Sequence, residues 1–307
     1  MKKMSFGQRV FVMVMALFLV YAVVFLIFED YDRHVLNPLN ETSDWYLLGF
    51  SVVVMGIVGY VLHRYSRRLD ENLNRQQSEE QNKMRRQLTQ NISHELKTPV
   101  ASILGYTDTI LENPDMAEAT QRQFIERTNA QAKRLTALLQ DLSTLNRMDY
   151  APEMLSKERV DVSALVADIV QETALAFERK RMTFNNFLPE GIHVQGNWSL
   201  LYSVFRNLID NALNYAGEGT TVELSAERQK DCWRFTFSDN GQGVSPEHLP
   251  RLFERFYRID KGRSRSMGGT GLGLAIVKNS VLWHGGNITV RPNHGKGLCF
   301  VFTLTCD

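Results

Sequence analysis

Two long apolar runs open the chain, and the residues after them follow a different pattern. Residues 10–28 contain no charge and no proline, and a second apolar run covers residues 45–62. Each run is close to the ~20 apolar residues that a helix needs to cross a bilayer. The pattern predicts a membrane domain with two transmembrane helices within residues 1–63. A cleaved signal peptide is the alternative for the first run, which is longer than the ~7–15 apolar residues typical of such peptides.

The charges that flank the two runs predict their orientation. Lysines and arginines precede the first run and follow the second, whereas the segment between them, residues 29–44, is mainly acidic. Because lysine and arginine accumulate on the cytoplasmic side, both termini are predicted to be cytoplasmic and the short loop to lie outside. The net charge of the whole chain is only +1, which gives no general attraction to nucleic acid.

A helical pattern follows the second run. Polar residues dominate to about residue 91, with apolar positions near helical spacing, which predicts a linker helix over 64–84 that continues to about Leu111. Alone, the linker suits a weak coiled coil and a merely solvated helix equally well. A turn is predicted at 112–115, and a second helix with a heptad stripe over 117–149. Since each helix has an apolar stripe to bury, two copies are expected to pair into a four-helix bundle, as a homodimer.

The pattern becomes mixed beyond a short linker at 150–155. Helices are predicted over 162–179, 198–215 and 272–283, and strands over 221–227, 233–237, 288–291 and 300–305. Helices combined with antiparallel-looking strands predict an α/β sandwich. The three cysteines lie in this part without metal-ligand spacing, so they are expected to be buried, reduced thiols.

Two glycine clusters and one helix carry candidate binding chemistry. SDNGQGV (238–244) follows a predicted strand, and MGGTGLGLAIVK (267–278) opens a predicted helix. Glycine lets the backbone approach a ligand, and a helix N-terminus offers free N–H groups, so the clusters favour a phosphate-bearing ligand. Asn207 and Asn211 share one helix face. Their amide oxygens suit Mg²⁺, although asparagines also simply form the solvated side of such helices.

The stretch NISHELKTPV (91–100) places His94 beside Glu95 in a helical pattern. Such a pair can belong to a zinc protease, act as a nucleophile with its base, or be two solvated side chains. The helical zinc motif needs a second histidine four residues after the first, where this chain has Thr98, so a zinc peptidase is excluded.

Five motifs together resemble a known family. NISHELKTPV, FRNLIDNALNYA, SDNGQGV, LFERFYR and GGTGLGLAIVK occur in the order and spacing of bacterial sensor histidine kinases of two-component systems, over about Arg85–Asp307. The resemblance implies a dimerisation and histidine phosphotransfer domain at 85–150 and an ATP-binding domain of the Bergerat (GHKL) type at 155–307. It also implies ATP and Mg²⁺ as cofactors, a cognate response regulator as partner, no nucleic acid, and a place in the bilayer of the bacterial inner membrane.

The resemblance implies catalytic roles for three residues of the first motif. His94 would be the phosphoacceptor, and Glu95 would orient its ring and accept its proton. Thr98 would support dephosphorylation of the partner, and Pro99 would bend the helix near the acceptor. The chain is therefore expected to be a kinase and a phosphatase. A phosphatase-dominant sensor or a scaffold with weak kinase output stays open, as does transfer in cis or in trans within the dimer.

The resemblance also implies an ATP site. It comprises Asn207, Asn211, Tyr215, Asp239, Gly241, Gly243, Arg258, Gly269, Gly271 and Gly273. Asn211 would bind Mg²⁺, Asp239 would accept a hydrogen bond from the adenine amino group, and Tyr215 would cover the adenine. A mobile lid would include Phe253, Arg255, Phe256 and Arg258 and continue through KGRSRSMGG.

The sequence departs from the family pattern at two places. Asn214 stands where the family often has a lysine, so a positive contact to the phosphates is expected from Arg258 or another lid residue. The stretch between Leu62 and His94 is too short for the family's usual two-helix signal-transfer module, so the membrane helices are expected to join the helical hairpin almost directly.

Overall fold

The computed structural model describes two compact units. The described residues are 12, 16, 18–27, 43–259, 269–293 and 295–306. One unit extends to Gln87 and the other begins at Leu88. Most of the predicted outer loop and residues 260–268 of the predicted lid lie outside the described residues.

The first unit contains the two predicted membrane spans. Residues 18–27 are helical, while the other residues of the span 10–28 lie outside the described ones except for 12 and 16. Among the described helices, none combines the length and the apolar content that crossing a membrane requires. Spans at 10–28 and 45–62 therefore stay predictions.

Two long helices form the predicted hairpin. Helix α1 (Ser43–Glu112) runs without interruption through Pro99, and α2 (Glu118–Tyr150) follows the predicted turn. In that turn the Met116 N–H donates to the Asn113 carbonyl oxygen at 3.1 Å. The heptad stripe of α2 supplies its buried side chains, which are Leu138, Leu145 and Met148. The helical hairpin expected from the sequence is confirmed.

An α/β sandwich follows the hairpin, after a short 3₁₀ helix at Pro152–Met154. Its helices are α3 (Val162–Arg179), α4 (Trp198–Tyr215) and α5 (Gly273–Trp283). Its strands are β1 (Glu158–Asp161), β2 (Thr183–Phe187), β3 (His193–Gly196), β4 (Thr221–Arg228), β5 (Cys232–Asp239), β6 (Ile288–Pro292) and β7 (Leu298–Thr305). A 3₁₀ helix at Leu249–Arg251 leads into the predicted lid.

The main sheet has the strand order β2-β4-β5-β7-β6, and β1 pairs with β3 in a separate ribbon. The four predicted strands, β4 to β7, pair antiparallel as expected, and β2 adds a parallel pair with β4. Strands β1, β2 and β3 were not predicted. They are short, and β2 exposes side chains on both faces, so it lacks the alternation that identifies a half-buried strand.

Aromatic side chains fill the space between the sheet and the helices. Phe205 of α4 meets Phe235 and Phe302 of the sheet edge-on, with ring centroids 5.6 and 5.8 Å apart. All three are fully buried. Edge-to-face pairs of this kind add stability beyond the burial of apolar area. They fix the height of α4 above the sheet, and with it the face that carries Asn207 and Asn211.

Polar caps fix where α4 begins. The Asn197 side chain accepts from the Leu200 N–H at 3.1 Å, and the Asn197 N–H donates to Nε2 of His284 at 3.0 Å. His284 is 1% exposed, and burial lowers the pKa of its ring, so it stays neutral and accepts this bond. These contacts tie α4 to the end of α5, and both helices border the cavity described next.

Candidate functional site

A cavity of about 710 Å³ opens between α4, the end of β5, the chain after β5 and the start of α5. Its volume lies in the range of ~300–1,000 Å³ typical of small-molecule sites. Nine of the ten residues expected at the ATP site line it: Asn207, Asn211, Tyr215, Asp239, Gly243, Arg258, Gly269, Gly271 and Gly273. The sequence thus identified residues that come together in space from segments far apart in the chain.

A buried carboxylate marks one end of the cavity. Asp239, at the end of β5, is 5% exposed and accepts from the Gly241 N–H at 2.9 Å. Burial raises the pKa of Asp239, while hydrogen bonds from the backbone N–H groups of Gly241 and Leu298 act against that shift. A buried carboxylate that faces a cavity is suited to accept a hydrogen bond from a ligand.

Gly241 is the tenth residue, and it does not line the cavity. A side chain there would collide with the Ala216 backbone at the end of α4. Its N–H group instead holds the Asp239 carboxylate. Gly241 therefore contributes by close backbone packing and by orienting Asp239.

Two asparagines mark the other end. The Asn207 side-chain nitrogen donates to the Ser203 carbonyl oxygen at 2.7 Å, which turns its oxygen toward Gly273. Asn211 is half-buried, and its side chain makes no hydrogen bond within the part of the chain that the structure describes. An amide oxygen of this kind is suited to Mg²⁺, which takes oxygen ligands from protein, water and phosphate.

The glycine loop Gly269–Gly273 forms the wall beside the asparagines. Gly271 has φ +73°, a left-handed conformation that glycine adopts without strain, and a side chain there would come within 3.0 Å of the Phe256 backbone. The loop leads into the N-terminus of α5, where the first turn offers N–H groups and a partial positive charge. Phosphate groups fit this wall.

Arg258 connects the cavity to the helical hairpin. Its side chain is 6% exposed, lines the cavity and contacts the Gly269 carbonyl oxygen. Its guanidinium also lies 3.6 Å from the Glu95 carboxylate, and Arg134 of α2 lies 3.4 Å from the same oxygen. Among the described lining residues, Arg258 is the only arginine or lysine.

His94 lies on α1 outside the cavity. Its side chain is exposed, whereas the neighbouring Glu95 is half-buried against the two arginines. The Thr98 hydroxyl donates to the His94 carbonyl oxygen at 3.2 Å, within the same helical turn. The structure thus brings Glu95 to the cavity side of the hairpin and leaves the His94 ring accessible.

Several lining residues were not predicted from the sequence. They include Asp210, Gln242, Ser245, His248, Tyr257 and Thr270. Nδ1 of His248 and the phenol oxygen of Tyr257 form a hydrogen bond of 2.7 Å. This bond connects the first part of the predicted lid to the segment that follows β5. No local pattern marks such a pair, because it depends on how the loop folds back.

Residues 84–151 match the family described as His Kinase A (phospho-acceptor) domain. Residues 196–307 match the family described as Histidine kinase-, DNA gyrase B-, and HSP90-like ATPase. The first match covers the hairpin around His94, and the second covers the cavity.

Curated relatives align over most of the chain. "Sensor protein kinase WalK" from Staphylococcus aureus is 32% identical over 296 residues, which is 90% of this chain and 68% of that protein. "Sensor-like histidine kinase SenX3" from Mycolicibacterium smegmatis is 34% identical over 220 residues, 72% of this chain and 57% of that protein. The chain spans little more than half the length of the SenX3 relatives.

Solved structures share the fold. Acinetobacter baumannii histidine kinase AdeS matches with a TM-score of 0.58 at 24% identity, covering 70% of this chain and 98% of that one. Full-length ShkA in complex with AMPPNP matches with a TM-score of 0.54 at 25% identity, covering 70% of this chain and 44% of that one. Histidine kinase ThkA, in complex with the response regulator protein TrrA, matches with a TM-score of 0.57 at 20% identity, covering 72% of this chain and 61% of that one.

Proposed function

Because this chain belongs to the sensor histidine kinases, we propose that it phosphorylates itself on His94 with ATP and passes the phosphoryl group to an aspartate of a response regulator. One observation carries the proposal. A cavity with a buried carboxylate at one end and paired asparagines beside a glycine loop at the other lies in the same compact unit as an exposed histidine on a helix.

Different residues of the cavity contact the adenine and the phosphates in this proposal. Asp239 accepts a hydrogen bond from the adenine amino group, and Tyr215 lies over the base. Asn207, the loop Gly269–Gly273 and Arg258 hold the phosphates. The size of the cavity, the buried acceptor and the N–H groups at the start of α5 support this arrangement. ShkA, a relative by fold and sequence, is named as a complex with the ATP analogue AMPPNP.

Magnesium belongs to the same proposal. Asn211 would hold the ion through its side-chain oxygen, with water and phosphate oxygens supplying the remaining ligands. When bound, the ion neutralises charge on the phosphates during transfer. The half-buried amide of Asn211 on the cavity wall supports this role.

Transfer consists of one substitution at phosphorus. A neutral ring nitrogen of His94 attacks the γ-phosphorus in line, a nitrogen–phosphorus bond forms, and the bond to the β,γ-bridging oxygen breaks to release ADP. Glu95 accepts the ring proton. Its carboxylate pairs with Arg134 and Arg258 in this structure, so we infer that this pairing loosens when Glu95 acts as the base.

Phosphatase activity toward the regulator is part of the proposal. The Thr98 hydroxyl is exposed one turn from His94, where it can hold a water for attack on an acyl phosphate. A phosphatase-dominant sensor is the second candidate, and one observation favours it. The two arginines hold Glu95 away from its role as a base, whereas Thr98 is exposed as it stands.

We further propose a homodimer in a membrane. Large apolar side chains of the hairpin are exposed in one chain and would be covered in a four-helix bundle; they include Val100, Leu104, Leu111, Ile125 and Leu139. The apolar runs 10–28 and 45–62 and the basic residues that flank them support two spans in the bacterial inner membrane, with both termini cytoplasmic.

Labelling with γ-³²P-ATP and Mg²⁺ tests the proposal in the full chain reconstituted in lipid. The wild type is expected to acquire an acid-labile, base-stable label, His94→Gln to acquire none, and His63→Gln, on the same helix, to be labelled like the wild type. An unlabelled wild type contradicts the kinase assignment. Label that survives in His94→Gln contradicts the assignment of the acceptor.

A further inference from the structure

A hydrogen bond joins the second hairpin helix to the glycine loop of the cavity. The Thr270 hydroxyl donates to Oδ2 of Asp141, on α2, at 2.8 Å, and both side chains are half-buried. Thr270 stands between Gly269 and Gly271 and lines the cavity. This bond therefore reaches the wall of the proposed ATP site from the side of the hairpin.

The same hydroxyl also shapes the loop. Thr270 Oγ1 accepts from the Leu272 N–H at 3.2 Å, and the Leu272 carbonyl oxygen accepts the Ile276 N–H at 2.9 Å. Thr270 thus links Asp141 to the first turn of α5. Leu272 and Ile276 are buried in one cluster with side chains of α2, namely Leu138, Leu145 and Met148. The polar bond and the apolar cluster hold the loop onto α2 together.

A carboxylate is an unexpected group at this place. Burial raises the pKa of Asp141, and the Thr270 hydroxyl offsets part of that shift. Desolvating a carboxylate costs free energy that an apolar residue next to Leu138 and Leu145 would avoid. Asp141 contributes a directional contact. Its hydrogen bond holds the glycine loop at one position along α2, whereas apolar contacts alone would let the loop shift along the helix.

The position of the loop matters because His94 is not part of the cavity. All described lining residues belong to the sandwich, from Asn207 to Leu298, and none to the hairpin. His94 is exposed, and the Glu95 carboxylate is turned to Arg134 and Arg258. Transfer from the cavity to His94 of the same chain is therefore expected to need a change in the position of the glycine loop on the hairpin, and the bond between Asp141 and Thr270 opposes that change.

We propose that Asp141 is a positioning residue that acts through Thr270: it holds the glycine loop on α2 and thereby restrains phosphoryl transfer to His94. The restraint rests on the proposed function, whereas the positioning does not. Removing the Asp141 carboxylate leaves the bond from Leu272 to Thr270 in place, so the loop keeps its local shape. Nucleotide affinity is then preserved while the rate of transfer rises.

Hydrogen exchange of the full chain in lipid tests the positioning without any need for activity. Asp141→Ala is expected to speed the exchange of the amides of residues 270–276 by about threefold or more, the scale set by one hydrogen bond. Asp141→Asn keeps an acceptor oxygen and is expected to restore slow exchange. Asp168→Ala removes an exposed carboxylate of α3 and serves as the charge-matched control. Unchanged exchange in residues 205–213 shows that the sandwich core remains folded.

The rate of His94 labelling at saturating ATP tests the restraint in the same three variants. For Asp141→Ala, the rate is expected to rise by about threefold or more, the scale of one hydrogen bond, with the dissociation constant for AMPPNP within about twofold of the wild type. Loop exchange equal to that of Asp168→Ala overturns the positioning role. Faster exchange with an unchanged or lower labelling rate overturns the restraint. An unlabelled wild type overturns the proposed function alone, and the exchange data then still decide whether Asp141 positions the loop.

Discussion

The guanidinium of Arg258 lies 3.6 Å from the carboxylate of Glu95 and lines the cavity at the same time. One buried cation thus faces the carboxylate beside His94 and the cavity in which the nucleotide phosphates are proposed to bind. Asn214 lines the cavity without a charge, so Arg258 is the main candidate for the proposed phosphate contact among the described lining residues. Nucleotide binding and release of Glu95 are therefore expected to be coupled through Arg258.

Replacing Arg258 with alanine is predicted to weaken nucleotide binding. A charge-assisted hydrogen bond to phosphate accounts for about a tenfold change or more in the dissociation constant. Arg258→Lys keeps the charge but lacks the planar guanidinium, so its nucleotide affinity is expected to lie between those of the wild type and Arg258→Ala. Titration with AMPPNP and Mg²⁺ in the full chain measures both. Arg122, which is 82% exposed on α2, provides the control variant Arg122→Ala. Equal affinity in Arg258→Ala and Arg122→Ala rules out the phosphate contact.

Thr98→Ala is predicted to separate the two proposed activities. The Thr98 hydroxyl is exposed and bonds only within its helix among the described residues, so its loss leaves the packing of the hairpin intact. Self-labelling of His94 is expected to stay near the wild-type rate. Dephosphorylation of the regulator is expected to slow by about tenfold or more, because the group that positions the water is lost.

The assay uses a receiver domain phosphorylated with acetyl phosphate, chosen as the one that takes label from His94 fastest among those of the source organism. Thr98→Ser keeps the hydroxyl and serves as the matched control, with dephosphorylation close to that of the wild type. Parallel loss of labelling and dephosphorylation in Thr98→Ala shows that Thr98 has no separate role.

The elements with strong periodicity were predictable from the sequence. Predicted helices at 162–179 and 198–215 have the observed bounds, because each carries a full apolar stripe and begins at a polar cap, Asp161 and Asn197. The ribbon β1–β3 and the parallel strand β2 were not predicted, since short strands at the edge of a sheet have no alternation of their own.

Site residues that stand in a sequence motif were predictable, whereas contacts between the sandwich and the hairpin were not. Asn207 and Asp239 stand in motifs whose residue types already suggest nucleotide chemistry, and both line the cavity. Contacts such as Asp141 with Thr270 join residues 129 positions apart. They depend on how the sandwich lies on the hairpin, which no local pattern in one sequence specifies.

Nucleotide affinity is predicted to fall as the pH is lowered toward the pKa of Asp239. Burial raises the pKa of that carboxyl above the ordinary value of 3.8, and only the ionised form accepts from an adenine amino group without donating in return. The effect on stability has the opposite sign. Because the folded chain binds this proton more tightly than the unfolded chain does, Asp239 stabilises the fold at low pH, and this contribution is lost as the pH rises through the raised pKa.

Titrating ADP into the full chain between pH 7 and about pH 5 checks this dependence. Asp239→Asn is expected to bind more weakly at neutral pH and to lose the dependence, whereas Asp168→Asn, on the exposed side of α3, keeps the wild-type curve. Identical curves for the wild type and Asp239→Asn exclude Asp239 as the titrating group.

Gly273→Ala is predicted to damage the nucleotide site without unfolding the chain. A Cβ atom there would lie 2.5 Å from Oδ1 of Asn207, and Asn207 cannot simply turn away because its amide nitrogen donates to the Ser203 carbonyl oxygen. Gly273 is only the first residue of α5, and the buried residues of that helix lie further along it, so the chain is expected to stay folded. Affinity for AMPPNP is nevertheless expected to fall by about tenfold or more, since the displaced asparagine and the first turn of α5 both line the part of the cavity proposed to hold the phosphates.

Gly105→Ala is the matched control for this prediction. Gly105 lies in α1, and a Cβ atom there would meet no described atom within 4 Å beyond the adjacent residues and backbone of its own helix. That variant adds a methyl group without a collision and outside the cavity, so its nucleotide affinity is expected to equal that of the wild type. If Gly273→Ala also binds AMPPNP normally, the contact between Asn207 and Gly273 is not part of the phosphate site. A fall in affinity confined to Gly273→Ala then reflects the collision with Asn207, because Gly105→Ala adds the same methyl group without a collision.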